Sequence, residues 1–182
     1  MRLVLVLVLV GCASGSSGSS GTETTAKPRE RVAMSSGGGG VLRTTNEDLI
    51  ARITVPAPPD RVWDAAIAAY GDAGVPVKTM DRKAGLLGNG EFIAVRQING
   101  KPLTTFIDCG TDPARGQLAN SYRITMSVLS TVLPDPSGGT RLETRVIAEG
   151  KQRNVSSNSI HCASTGKLEE QIAQLVKQRI GG

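Results

Sequence analysis

The sequence predicts an α+β fold: a curved antiparallel sheet of about six strands, packed by a long C-terminal helix, with a second helix after the first strand. Three observations predict it. Apolar and polar residues alternate along 49–55 and 122–132, apolar stripes at helical spacing occupy 62–70 and 168–180, and short turn-forming clusters separate the strand-like runs. Antiparallel neighbours need only such short connections.

The first strand runs Leu49–Val55, with Leu49, Ala51, Ile53 and Val55 on one face and Ile50, Arg52 and Thr54 on the other. Pro56-Ala57-Pro58-Pro59-Asp60 stops it and opens a helix, since proline suits a first helical turn. Val62, Trp63, Ala66, Ile67 and Tyr70 make the stripe of that helix, which ends at Gly71 or Gly74. Val75–Met80 reads as a second strand and Asp81–Gly85 as a polar turn. Strands at Gly90–Arg96 and Leu103–Cys109 are joined through Asn99-Gly100, a pair suited to a tight hairpin, and Asp112–Asn120 is a loop. Tyr122, Ile124, Met126, Val128, Ser130 and Val132 line one face of the cleanest strand. After Pro134–Gly139 turns the chain, Leu142, Thr144, Val146 and Ala148 supply the matching inner face, with Arg141, Glu143 and Arg145 outward. Lys151–His161 is polar and loop-like. The last helix spans Thr165–Ile180, with Leu168, Ile172, Leu175, Val176 and Ile180 buried, Glu169 and Glu170 in its first turn, and Lys177 and Arg179 in its last, as the helix dipole favours.

The N-terminal region has a different composition. An unbroken apolar run, Leu3–Val10, follows the single basic residue Arg2 and closes on Leu9-Val10-Gly11-Cys12. Eight residues are too few to span a bilayer. The pattern resembles a bacterial lipoprotein signal, whose lipobox ends aliphatic, variable, small, Cys. The resemblance implies that residues 1–11 are a signal peptide, that Cys12 is acylated as the new N-terminus, and that the chain is held in the cell envelope. By the same resemblance Ala13, which is not Asp, favours the outer membrane, with the domain in the periplasm.

Residues 13–40 contain 14 Gly or Ser in 28, no aromatic residue, and only Val32 and Met34 as larger apolar side chains. A stretch of this kind buries too little apolar surface to offset its ordering entropy. Together with the anchor, residues 12–40 therefore read as a flexible tether with a span of roughly 30 Å. The alternative is that Thr22–Met34 docks on the domain or on a partner, with Lys27-Pro28-Arg29-Glu30-Arg31 as a recognition segment. The remaining residues, 41–182, have the length of one domain that folds as a monomer.

Composition excludes some functions. In residues 41–182, 17 Lys and Arg against 14 Asp and Glu leave a charge of +3, interspersed along the chain, which is an ordinary solvated surface and no nucleic-acid footprint. The aromatics are Trp63, Tyr70, Phe92, Phe106 and Tyr122, too few for a base- or sugar-stacking platform. Once Cys12 is given to lipid, Cys109 and Cys162 remain. An even pair in an oxidising compartment suggests a disulfide, with two buried free thiols as the other reading.

Catalytic motifs are missing. His161 is the single histidine; a Ser–His–Asp site would need it beside Asp108 or Asp112, and no Gly-x-Ser-x-Gly elbow accompanies it. Cys109, His161 and Cys162 lack the spacing of a zinc site. Thr165-Gly166-Lys167 lacks the upstream glycine and the following Ser or Thr of a phosphate-binding loop. Gly88-Asn89-Gly90 reads as a tight turn and Trp63 as core. No cofactor, metal or enzymatic activity is expected.

Ile53-Thr54-Val55-Pro56, the helix opening Asp60-Arg61-Val62-Trp63, and Asp81-Arg82-Lys83-Ala84-Gly85-Leu86 form a strand, a Trp-bearing helix and an Asp-Arg-x-x-Gly turn. Over about residues 48–96, and in the pattern of the final helix, the chain resembles the BamC-like helix-grip family of outer-membrane lipoproteins. The resemblance implies a non-catalytic accessory protein that binds a protein partner in the envelope. This chain departs from the family in having one domain, not a tandem pair, on a Gly/Ser-rich linker. The alternative function is a helix-grip binder of a small apolar ligand such as a lipid. A filled space between helix and sheet favours the first reading, and an apolar cavity there favours the second.

Overall fold

A computed structural model of the 182-residue chain describes Glu23–Thr24, residues 49–153 and residues 159–181. The fold is α+β, built on an antiparallel sheet. β1 (Glu23–Thr24) pairs with β2 (Ile50–Val55), which leads into α1 (Pro59–Asp72). β3 (Thr79–Asp81) and β4 (Leu86–Ala94) follow, then the hairpin of β5 (Gln97–Ile98) and β6 (Lys101–Pro102). A 3-10 turn at Leu103–Thr105 precedes β7 (Ile107–Asp108); a second small hairpin joins β8 (Thr111–Asp112) to β9 (Gly116–Gln117), and α2 (Leu118–Ser121) closes this region. The long hairpin of β10 (Tyr122–Pro134) and β11 (Thr140–Gln152) comes next, then β12 (Ile160–Ser164) and α3 (Lys167–Gly181). The strand order is β1-β2-β11-β10-β4-β3, and β12 extends the sheet from the far half of β11 and carries β7.

β10 and β11 form the spine, paired over 13 residues from Tyr122↔Gln152 to Pro134↔Thr140. Their alternation is sharp because one face is covered and the other is not. Ile124, Met126, Val128 and Val132 of β10 and Leu142, Val146 and Ala148 of β11 are buried, whereas Arg123, Arg145 and Glu149 are exposed. α1 and α3 lie side by side on the buried face. Val62, Trp63, Ala66, Ala69 and Tyr70 from α1 and Leu168, Ile172, Ala173 and Val176 from α3 complete one core with Leu87, Leu103, Phe106 and Ile107. Burying each large side chain of this kind contributes about 1.5–3 kcal/mol. α1 starts on Pro58-Pro59 with Asp60 in its first turn, as a helix lacking N–H partners there favours. None of the described helices is long and apolar enough to cross a membrane.

Several expectations are corrected. Leu103–Cys109 is not one strand. Leu103, Phe106 and Ile107 are buried at a spacing of three and four, which suits a tight helical turn, and Phe106 N–H bonds Leu103 O at 2.9 Å. Val75–Met80 is strand only at its end, Thr79–Asp81: Val75 N–H returns to Tyr70 O at 2.9 Å to cap α1, and Pro76 has no N–H for a ladder. The strand expected at Gly90–Arg96 is β4, which begins four residues earlier and ends at Ala94, so Gly88-Asn89-Gly90 lies inside it and is no turn. The register shifts by one residue between Met126 and Val128, so the bulge is at Gly90–Glu91, opposite Ser127, while Gly88 and Asn89 stay in register with Leu129 and Val128. Asn89 holds it: its buried amide donates to Pro76 O at 2.8 Å and its Oδ1 accepts from Glu91 N–H at 3.0 Å. Asp112–Asn120 contains the second small hairpin and the start of α2. Ile160–Ser164 is strand, so the loop expected over Lys151–His161 is overturned at Ile160 and His161; the strand's inward positions hold the small residues Cys162 and Ser164, which give little apolar signal. The Asn99-Gly100 hairpin is present, with φ of 46° and 73° at its two central residues.

Glu23 and Thr24 pair with Arg52 and Ala51 at the sheet edge. The rest of the expected signal and tether, Cys12 included, lies outside the described residues.

Candidate functional site

Between the helices and the sheet, buried side chains of the described residues meet directly. Tyr70, in the last turns of α1, projects its hydroxyl to the sheet, 2.8 Å from Ser130 Oγ on β10, and Ser130 Oγ lies 2.7 Å from Thr144 Oγ1 on β11. All three residues are buried. A buried hydroxyl without a partner is destabilising, so three adjacent strand and helix positions supply one another. At the start of α3, Ser164 Oγ donates to Glu169 Oε1 at 2.6 Å and accepts from Gly166 N–H at 3.0 Å. Glu169 is fully buried, in the first turn of a helix whose N–H groups favour an anion. An open concavity of about 570 Å³ lies elsewhere, at the sheet rim between Pro56–Pro58 and Ser137–Gly139.

Burial pushes the Tyr70 hydroxyl well above its ordinary 10.0; the Ser130 hydrogen bond partly offsets this and the Glu169 charge adds to it. The folded protein thus holds this phenol neutral where the unfolded chain ionises it. The resulting stability is complete below about pH 10 and is lost progressively as pH rises above it toward the folded value. Tyr70→Phe is expected to cost about 1 kcal/mol at neutral pH through the lost hydrogen bond. The same variant should lose stability less steeply than the wild type above pH 10. Urea unfolding at neutral and alkaline pH measures both, and parallel pH profiles would contradict the placement of Tyr70.

Among the described residues no hydrogen bond or ion pair joins His161 to Asp108 or Asp112. His161 is exposed on β12, in register with Glu149, while Asp108 pairs with Ala163 on the neighbouring strand. Asp108 Oδ1 accepts from Gly110 N–H at 2.9 Å, and Asp112 Oδ1 accepts from Ala114 and Arg115 N–H, so both carboxylates shape local turns. Cys109 and Cys162 form a disulfide, sulfur to sulfur 2.09 Å, joining the end of β7 to β12. Their thiolates are therefore not available beside His161 for a metal, and among the described residues no group of three His, Cys, Asp or Glu is placed to hold one. Thr165-Gly166-Lys167 starts α3: Thr165 Oγ1 donates to Thr105 O at 2.7 Å, and Gly166 turns the chain at φ 81°. Trp63 is in the core, with the Arg82 guanidinium 5.3 Å from its ring centroid. Arg82 also bonds Asp60 Oδ1 at 2.7 Å and Asp64 Oδ1 at 2.8 Å, which pins the Asp81–Gly85 turn to α1. All three charges are exposed, so screening keeps the energetic gain small.

Sequence reasoning missed Glu169 as a core group, taking it only as a complement to the helix dipole. The signal was its spacing from Ala173 and Val176, four and seven residues on, which places it on the buried stripe. No protein-family model and no curated protein sequence matches the chain.

Proposed function

We propose that this chain is a non-catalytic lipoprotein of the bacterial cell envelope, anchored through acylated Cys12, with a BamC-like helix-grip domain that faces the periplasm and binds a protein partner. Outer-membrane residence follows the same reading, through Ala13. The observation that carries it from the structure is the Cys109–Cys162 bridge, which is the chemistry of an oxidising, exported compartment. It agrees with the lipobox Leu9-Val10-Gly11-Cys12 at the other end of the chain. The polar and apolar side chains that fill the space beneath α1 and α3 favour partner binding over an apolar ligand held there. The test is acylation in a bacterial host: radiolabelled palmitate is expected to mark the wild type and not Cys12→Ser. Equal labelling of the two, or none of either, would overturn the lipoprotein reading.

A further inference from the structure

The sheet face opposite the helices is lined differently at its two ends. At the end where β2 pairs with β11, basic residues are matched by acid: Glu143 Oε1 takes Arg52 Nε at 2.7 Å and Arg141 Nε at 3.2 Å. At the other end Arg123 of β10 stands directly opposite Lys151 of β11, both exposed. Like charges opposite one another destabilise a strand pair. Neither takes part in an ion pair among the described residues, and the acid nearest in register, Glu149, sits one pair further along, opposite Thr125. On the next strand, β4, Ile93 pairs with Thr125 on this face and is 52% exposed; Val95, one residue past the Ala94–Ile124 pair, is 43% exposed. Two bare branched aliphatics thus flank two unmatched cations on a face that no described helix covers.

We infer that Ile93, Val95, Arg123 and Lys151 form a docking patch for an anionic phospholipid surface, the cations meeting headgroup phosphates and the aliphatics entering the headgroup boundary. Charge complementarity selects this occupant. Bare cations beside aliphatics suit a layer that is negative outside and apolar beneath, and each Lys or Arg near such a surface strengthens binding. The inference rests on the envelope-lipoprotein reading for the presence of a bilayer, but its test uses unacylated protein, so the two fail separately.

The experiment is co-sedimentation of the full chain carrying Cys12→Ser with vesicles of phosphatidylcholine, with or without roughly one third phosphatidylglycerol. The protein is expected to partition onto the anionic vesicles, to release at high salt, and to ignore pure phosphatidylcholine. Arg123→Glu with Lys151→Glu should lower that partition on the order of thirtyfold or more. Arg61→Glu with Lys83→Glu, two exposed cations in α1 and in the turn after β3, gives the same net charge and should leave most of the binding in place. Ile93→Ser with Val95→Ser should weaken binding by roughly tenfold at unchanged net charge. Every variant keeps the same N-terminal residues, and an unchanged thermal midpoint identifies those that remain folded. Equal loss in the two charge-reversal pairs would reduce the effect to net charge and overturn the patch. Failure of the starting protein to bind would overturn it as well. Capture by polyglutamate without vesicle binding, abolished by Arg123→Glu with Lys151→Glu, would assign the patch to an acidic protein instead.

Discussion

Gly88→Ala is expected to lower the unfolding free energy by roughly 3–5 kcal/mol, while Gly90→Ala two residues along stays within about 1 kcal/mol of the wild type. Gly88 has φ of 135°, a backbone region that side-chain-bearing residues rarely enter. A methyl group built there would stand 2.2 Å from Val128 O and 3.0 Å from the Tyr70 hydroxyl. The first neighbour is strand backbone in the centre of the sheet and has nowhere to go. The second is the group that joins α1 to Ser130 and Thr144. A side chain at 88 therefore strains β4 where it pairs with β10 and pushes on the helix–sheet contact together. At Gly90 φ is not positive and nothing lies within 4 Å of the added methyl. Urea unfolding of the pair at neutral pH, with unchanged slope, measures the difference. Equal losses in the two variants would mean that Gly88 does not make the close approach to Val128 and Tyr70 that the structure has.

That contrast shows what was legible in the chain. The long hairpin 122–152, both amphipathic helices and the Asn99-Gly100 turn were readable because each rests on local periodicity or on a residue pair with one favoured geometry. The bulge was not readable. Gly-Asn-Gly suits a tight turn and a strand bulge equally, and only the register of β10 against β4 decides between them. β12 was hidden because its inward residues are Cys162 and Ser164, and the burial of Cys162 depends on a bond to a residue 53 positions away. The helix–sheet polar groups were scattered over α1, β10, β11 and α3, and no spacing in the sequence links Tyr70 to Ser130 or Ser164 to Glu169 as partners. Arg123 falls outward by the alternation of its strand, but its adjacency to Ile93 is a product of strand order.

Breaking the Cys109–Cys162 bridge is expected to cost up to about 4 kcal/mol, the chain-entropy value for a closed loop of this size. The bond fixes β7 to β12, which otherwise share two residue pairs, Ala163↔Asp108 and Ser164↔Ile107, flanked by hydrogen bonds from Thr165 to Thr105 and Phe106. β7 carries Ile107 and follows Phe106 and Leu103, all buried, so its release loosens the lid that these residues form over the end of the core. Cys162 is itself buried, and its strand leads directly into α3. Ser164, two residues on, holds Glu169 in the first turn of that helix. Loss of the bond therefore reaches the helix–sheet interface as well as the short strands. The double variant Cys109→Ala, Cys162→Ala separates lost linkage from thiol chemistry, and reductant on the wild type should match it. Intact mass before and after reduction should differ by two hydrogens. Backbone amide exchange should rise first in β7 and β12, ahead of the β10–β11 spine. An unfolding midpoint unmoved by complete reduction would show that the bridge adds nothing the packing does not already supply. A drop of the expected size would mean that the domain reaches full stability only where its thiols can oxidise, as the proposed export requires.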